Sequence, residues 1–144
     1  MTQEEKDLLL KDLCARLPYK VKAYVKHYSK WDSKWYEGIY TIKSAYPGLN
    51  EIYVTSETGS VDVLVGYDDY KIKPYLFPMS SMTDEQSKEL EEIDPEFYSL
   101  IRENGDICVS MDVRGYDWLN KNHIDYRCLI EKGLAIDATG LNIY

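Results

Sequence analysis

Between Tyr19 and Tyr40 the chain interleaves Tyr19, Tyr24, Tyr28, Trp31, Trp35, Tyr36 and Tyr40 with Lys20, Lys22, Lys26, Lys30 and Lys34. Rings that stack on bases, beside ammonium groups that neutralise phosphates, are what single-stranded nucleic-acid binding requires. The same residues suit a protein contact, because exposed Trp and Tyr bury large areas and are enriched at interface hot spots. The segment Trp31-Asp32-Ser33-Lys34-Trp35 falls where a loop between strands is expected, which places two indoles at one tip. No RNP-type aromatic signature accompanies the run. The candidate contact residues are therefore Lys20, Lys22, Tyr24, Lys26, Tyr28, Trp31 and Trp35, with a protein as the first partner class and single-stranded nucleic acid as the second.

Other chemistries find less support. His27 shares the expected inward face of its strand with Val25, which reads as a hydrogen-bonded core histidine. His123-Ile124-Asp125 can orient an imidazole, but Asp125 already has a helix-capping role and no nucleophile stands nearby. The cysteines, Cys14, Cys108 and Cys128, include no pair at zinc-ligand spacing. Asp62, Asp68, Asp69 and Asp112 flank strands, yet a nuclease of the Asp…Glu-x-Lys type needs its tripeptide downstream of the acidic strand end. Here Glu4-Glu5-Lys6 lies upstream, in a helix. Gly-x-Ser-x-Gly, P-loop and Gly-x-Gly-x-x-Gly motifs are absent. No catalytic residue, metal site or cofactor is expected.

With 144 residues, 44% hydrophobic and 29% charged, the chain is sized for one globular domain. Its apolar stretches are far shorter than the roughly 20 residues that span a bilayer. Glu4, Glu5 and Asp7 occupy the place of a signal peptide's positive start, so a cytoplasmic protein with free or buried thiols is expected. The net charge of −8 is unevenly spread: residues 1–50 carry +3 and residues 51–144 carry −11. Nucleic acid would have to meet the basic part, whereas the acidic part could face a basic partner. The acidic run around Glu89, Glu91 and Glu92 reads as a solvated helix face, or as the surface of an acidic inhibitor acting through the C-terminal half.

The elements that must position these residues are legible in part. Thr2 and Glu5 form a capping box for a helix carrying Leu9, Leu10, Leu13, Cys14 and Leu17, closed by Pro18. From Tyr19 the period becomes two, with Val21, Ala23 and Val25 on one face and the lysines and tyrosines on the other. Short β-rich runs come next, over 36–44, 51–56, 60–65 and 70–73, separated by turn sequences. They predict an antiparallel meander of four to five strands, which could curl into an SH3-like barrel and which Pro74 and Pro78 end. Thr83 and Gln86 cap a second helix through Leu90, Ile93, Phe97 and Ile101, restarting at Asp94-Pro95 and stopping at Gly105. A strand over 107–111 and two short helices, 116–122 and 125–132, complete one α+β domain with a helical C-terminal half.

Two stretches carry a resemblance. They are Lys73-Pro74-Tyr75-Leu76-Phe77-Pro78-Met79-Ser80-Ser81-Met82-Thr83 and the run from Asp117-Trp118-Leu119-Asn120 through Asp125-Tyr126-Arg127 to Gly133-Leu134-Ala135. With the opening helix they resemble a family of small, uncharacterised acidic proteins from gut-commensal bacteria and their phage-like or mobile elements. The resemblance implies a bacterial cytoplasmic setting and a mobile-element accessory role, and it brings no activity or catalytic residue with it. Taken with the residues, it leaves a non-catalytic binding or adaptor protein as the expectation.

Overall fold

The computed structural model describes residues 1–46, 51–57, 62–66, 71–96 and 113–144. Helix α1 (Gln3–Arg16) begins at its capping box: Thr2 Oγ1 accepts from the Glu5 N–H at 3.2 Å, and Glu5 Oε2 accepts from the Thr2 N–H at 2.6 Å. Its buried stripe reads Leu9, Asp12, Leu13 and Arg16, steps of three and four residues that keep one face inward. A short 3₁₀ turn spans Leu17–Tyr19, and Lys20, in the left-handed region at φ 54°, swings the chain into the sheet. The first strand, β1 (Lys22–Ser29), therefore starts later than the alternation from Tyr19 suggests.

β1, β2 (Lys34–Tyr46), β3 (Glu51–Ser56) and β4 (Asp62–Gly66) pair antiparallel in chain order, as a meander should. β2 takes up a register shift between Ile42 and Ser44, a bulge that places Lys43 in solvent. β5 (Lys71–Pro78) does not continue beside β4. It crosses to the other edge and pairs antiparallel with β1, from Lys26 opposite Lys71 to Ala23 opposite Pro74. Two short parallel partners then join β5: β6 (Ile124–Asp125) opposite Phe77 and Pro78, and β7 (Ile136–Asp137) opposite Tyr75 and Leu76. The order β4-β3-β2-β1-β5-β6 does not return on itself, so the described strands form an open mixed sheet and not a barrel.

Two expectations about this region need correction. Pro78 closes β5 as expected, but Pro74 does not end the sheet: it is the last residue paired to β1, and its missing N–H falls where the strand changes neighbours. The second short helix, 125–132, does not form. Asp125 does cap, accepting from the N–H groups of Arg127 (3.3 Å), Leu129 (3.0 Å) and Ile130 (2.8 Å), but the chain beyond it continues as turns. Cys128 at φ 56° and Gly133 at φ 70° bend the chain so that Leu129 and Leu134 reach the core and Ile136 reaches β5.

Helix α2 (Asp84–Ile93) has the expected second capping box, with Gln86 N–H on Thr83 Oγ1 at 3.1 Å and Thr83 N–H on Gln86 Oε1 at 3.0 Å. Replacing Thr83 by alanine is expected to lower stability by about 1 kcal/mol, read from the urea midpoint. Helix α3 spans Val113–Lys121. The expectations for Phe97, Ile101, Gly105 and the strand over 107–111 lie outside the described residues, as do the turns over 47–50 and 67–69. Among the described residues no helix is long and apolar enough to cross a membrane.

Burial divides accordingly. Leu9 and Leu13 of α1 cover Val21, Ala23, Val25, Tyr40, Ile42, Ile52, Val54 and Ile72 on one face of the sheet. Leu90, Trp118, Leu119, Ile124 and Tyr126 form a second cluster with Phe77, Met79 and Met82, and Leu76, Leu129, Leu134 and Ala135 a third that Leu8 joins. On the opposite face Lys22, Tyr24, Lys26 and Tyr28 of β1 are only half-buried, and Trp35 and Glu37 of β2 are exposed.

Candidate functional site

β1 alternates buried and half-buried residues, and this alternation builds a second, partly exposed face. Lys22, Tyr24, Lys26 and Tyr28 project from it, and β2 sets Thr41, Ile39, Glu37 and Trp35 directly opposite them. From the other side β5 sets Lys73 opposite Tyr24 and Lys71 opposite Lys26. Five of the seven candidate residues, Lys22, Tyr24, Lys26, Tyr28 and Trp35, thus share one surface. Lys20 lies ahead of β1 on the left-handed turn, exposed and outside the strand, and Lys30 falls in the hairpin turn.

The surface has internal structure. The rings of Tyr28 and Trp35 meet at 5.4 Å between centroids, and Lys26 Nζ lies 5.9 Å from the Trp35 centroid. Tyr24 Oη donates to Glu37 Oε2 at 2.7 Å, and Lys26 Nζ lies 3.6 Å from the same oxygen. The Tyr24 hydroxyl, and after it the Lys26 ammonium, hold the Glu37 carboxyl below its usual range, while the same hydrogen bond raises Tyr24. Lys22 is tied down by Glu57 at 2.8 Å and by the Ile143 carbonyl at 2.7 Å. Lys71 and Lys73 make no ion pair among the described residues.

At the hairpin tip the aromatic groups stand out into solvent. Trp31 is 98% exposed, Trp35 57% and Tyr36 43%. The turn holding Trp31 is braced: Tyr36 Oη donates to Asp32 Oδ2, which lowers the Asp32 pKa, and Ser33 takes φ 55°. On the far side of the tip Tyr36 stacks on His27 at 5.8 Å, and His27 Nε2 lies 3.2 Å from Tyr40 Oη. His27 is buried and its pKa is lowered by that burial, as a core histidine requires.

The residues that sequence reasoning missed are Lys71, Lys73 and Glu37. The alternation Lys71-Ile72-Lys73 signals a half-buried strand, but not which neighbour it will have. His123 is not poised for catalysis: it is buried at φ 56° with its ring 3.8 Å from that of Tyr144, and Asp125 is occupied as a cap. Cys14 and Cys128 are exposed and form no disulfide among the described residues, and Cys108 lies outside them. Asp68, Asp69 and Asp112 also lie outside them. Glu89, Glu91 and Glu92 are exposed along α2, as on a solvated face. Comparison with protein-family models, with curated proteins and with solved structures finds no match to this chain.

Proposed function

We propose that this protein is a non-catalytic binding protein that docks a protein partner on the partly exposed β1–β2–β5 face and the β1–β2 tip. The observation that carries the reading is Trp31, 98% exposed on a braced turn beside the half-exposed Trp35. An indole held in water on an ordered turn costs little further entropy to bury, which is the property of an interface anchor. Lys26, Lys30, Lys34, Lys71 and Lys73 belong to the same face and tip, so the complementary partner surface is acidic with an apolar recess for the indole. The accessory role in a bacterial mobile element implied by the resemblance belongs to the same proposal.

Single-stranded nucleic acid is the second reading, favoured by a face that carries Tyr24, Tyr28 and Trp35 together with Lys26, Lys71 and Lys73. Against it stands the ionised Glu37, set among those rings where a phosphate would run. Tryptophan fluorescence during titration with mixed single-stranded DNA and RNA separates the two. A protein-docking surface gives a flat response at low and at physiological salt. Saturable quenching that weakens steeply with salt would replace this reading with the nucleic-acid one.

A further inference from the structure

A separate open cleft lies between α1, α3 and the segment after β6. Its volume is about 440 Å³, and its walls are Lys11 and Ala15 of α1, Tyr116 and Asn120 of α3, and Tyr126 and Arg127 of the segment after β6. Lys11 with Ala15, and Tyr116 with Asn120, are each four residues apart, so each helix presents one face to the same space. The volume is in the range that holds a small organic ligand.

The polar lining is one-sided. Asn120 is buried, at 5% exposure, and its Oδ1 accepts from Tyr126 Oη at 3.1 Å, which leaves its Nδ2 hydrogens without a protein acceptor among the described residues. Arg127 gives Nη1 to Asp12 Oδ1 at 3.2 Å and lies over the Tyr126 ring at 4.7 Å, with further N–H groups left to donate. Lys11 is exposed at the rim with no ion pair among the described residues. Among the described residues no carboxylate lines the walls. Of the neighbouring acids, Asp12 is held between Arg16 and Arg127 and Asp125 by backbone N–H groups, while Asp117 of α3 is exposed to solvent.

Charge points the same way. Behind the cleft one carboxylate, Asp12, faces two guanidinium groups, those of Arg16 and Arg127, and Lys11 adds a third cation. The charged groups on the cleft walls themselves, Lys11 and Arg127, are both cations, in a chain whose net charge is −8. A site that offers donors and positive charge, beside the Ala15 methyl group and the Tyr116 ring, matches an anionic head on a flat apolar body.

We infer that this cleft binds a small organic anion, a carboxylate or phosphate carried on a planar group, with Lys11, Arg127 and the Asn120 amide on the head and Ala15 and Tyr116 on the body. The test is a titration of the whole chain with phenyl phosphate, benzoate and uncharged benzyl alcohol, monitored by backbone amide NMR shifts. One or both anions should give saturable shifts confined to the walls, and the stronger of the two identifies the head group. Benzyl alcohol should give none. Lys11→Met should weaken binding roughly tenfold, the cost of about one charge-assisted contact. Ala15→Leu should abolish it by filling the space. Neither residue is part of the buried core, and an unchanged melting temperature confirms that each variant is folded. Absence of saturation by either anion up to about 10 mM, the limit of meaningful affinity, would overturn the inference. So would binding that both variants leave intact.

Discussion

Replacing Asp12 by alanine is expected to destabilise the fold by about 3–5 kcal/mol, enough to unfold much of a domain whose total stability is roughly 5–15 kcal/mol. Asp12 and Arg16 are both fully buried on α1, with Arg16 Nε on Asp12 Oδ2 at 2.8 Å and Nη2 on Oδ1 at 3.0 Å. Arg16 also donates to the Ile124 carbonyl at 2.8 Å, and its guanidinium lies 5.5 Å from the Tyr126 centroid. The pair therefore fastens the first helix to the segment after α3, roughly a hundred residues further along the chain. Removing the carboxylate leaves a buried guanidinium without its main counter-charge, and that penalty, not the strength of the pair, sets the size of the loss. The double variant Asp12→Leu, Arg16→Met should recover most of it, since Arg127 is partly exposed and can turn to solvent. Urea denaturation of the three proteins measures this. A loss below about 1 kcal/mol for the single variant would show that the pair does not carry this load.

Stability should also fall as the pH drops from about 6.5 toward 4. Burial, and after it the Arg16 charge, lower His123 from 6.5 to about 4, so the folded chain keeps the ring neutral while the unfolded chain protonates it. Between those values the unfolded state binds the extra proton, so stability rises with pH across that window and is fully present above 6.5. The shift corresponds to at most about 3 kcal/mol. His27, lowered in the same direction, adds to the slope. The variant His123→Asn, a residue that tolerates the left-handed backbone here, should flatten the curve by the His123 share. Equal pH dependence in parent and variant would contradict this assignment.

Legibility in the sequence depends on the range of each interaction. Both capping boxes are legible because the reciprocal hydrogen bonds of Thr2 with Glu5, and of Thr83 with Gln86, lie within one helical turn. The face carrying Lys22, Tyr24, Lys26 and Tyr28 is legible because alternation over one strand needs no partner. The place of β5 is not, since pairing with β1 instead of β4 is a choice made across tens of residues of chain. For the same reason Lys71 and Lys73 stay hidden as members of the face. Asp12 and Arg16 look like ordinary surface residues of a capped helix until the carbonyls of Ile124 and Leu119 arrive to receive the guanidinium. Asp125 misleads in the opposite sense: its capping chemistry is real, but Cys128 turns left-handed and the helix it announces does not form.

The claim that the β1–β2 tip is a protein-docking site is tested most directly by a photo-crosslinking side chain placed at position 31, with one at position 89 on α2 as the control, in the cells that carry the protein. Position 31 should give a discrete protein adduct that position 89 does not, and Trp35→Ala or Lys26→Glu should remove it without changing the melting temperature. Adducts common to both positions, an adduct to nucleic acid, or none at all at position 31 would contradict the docking claim.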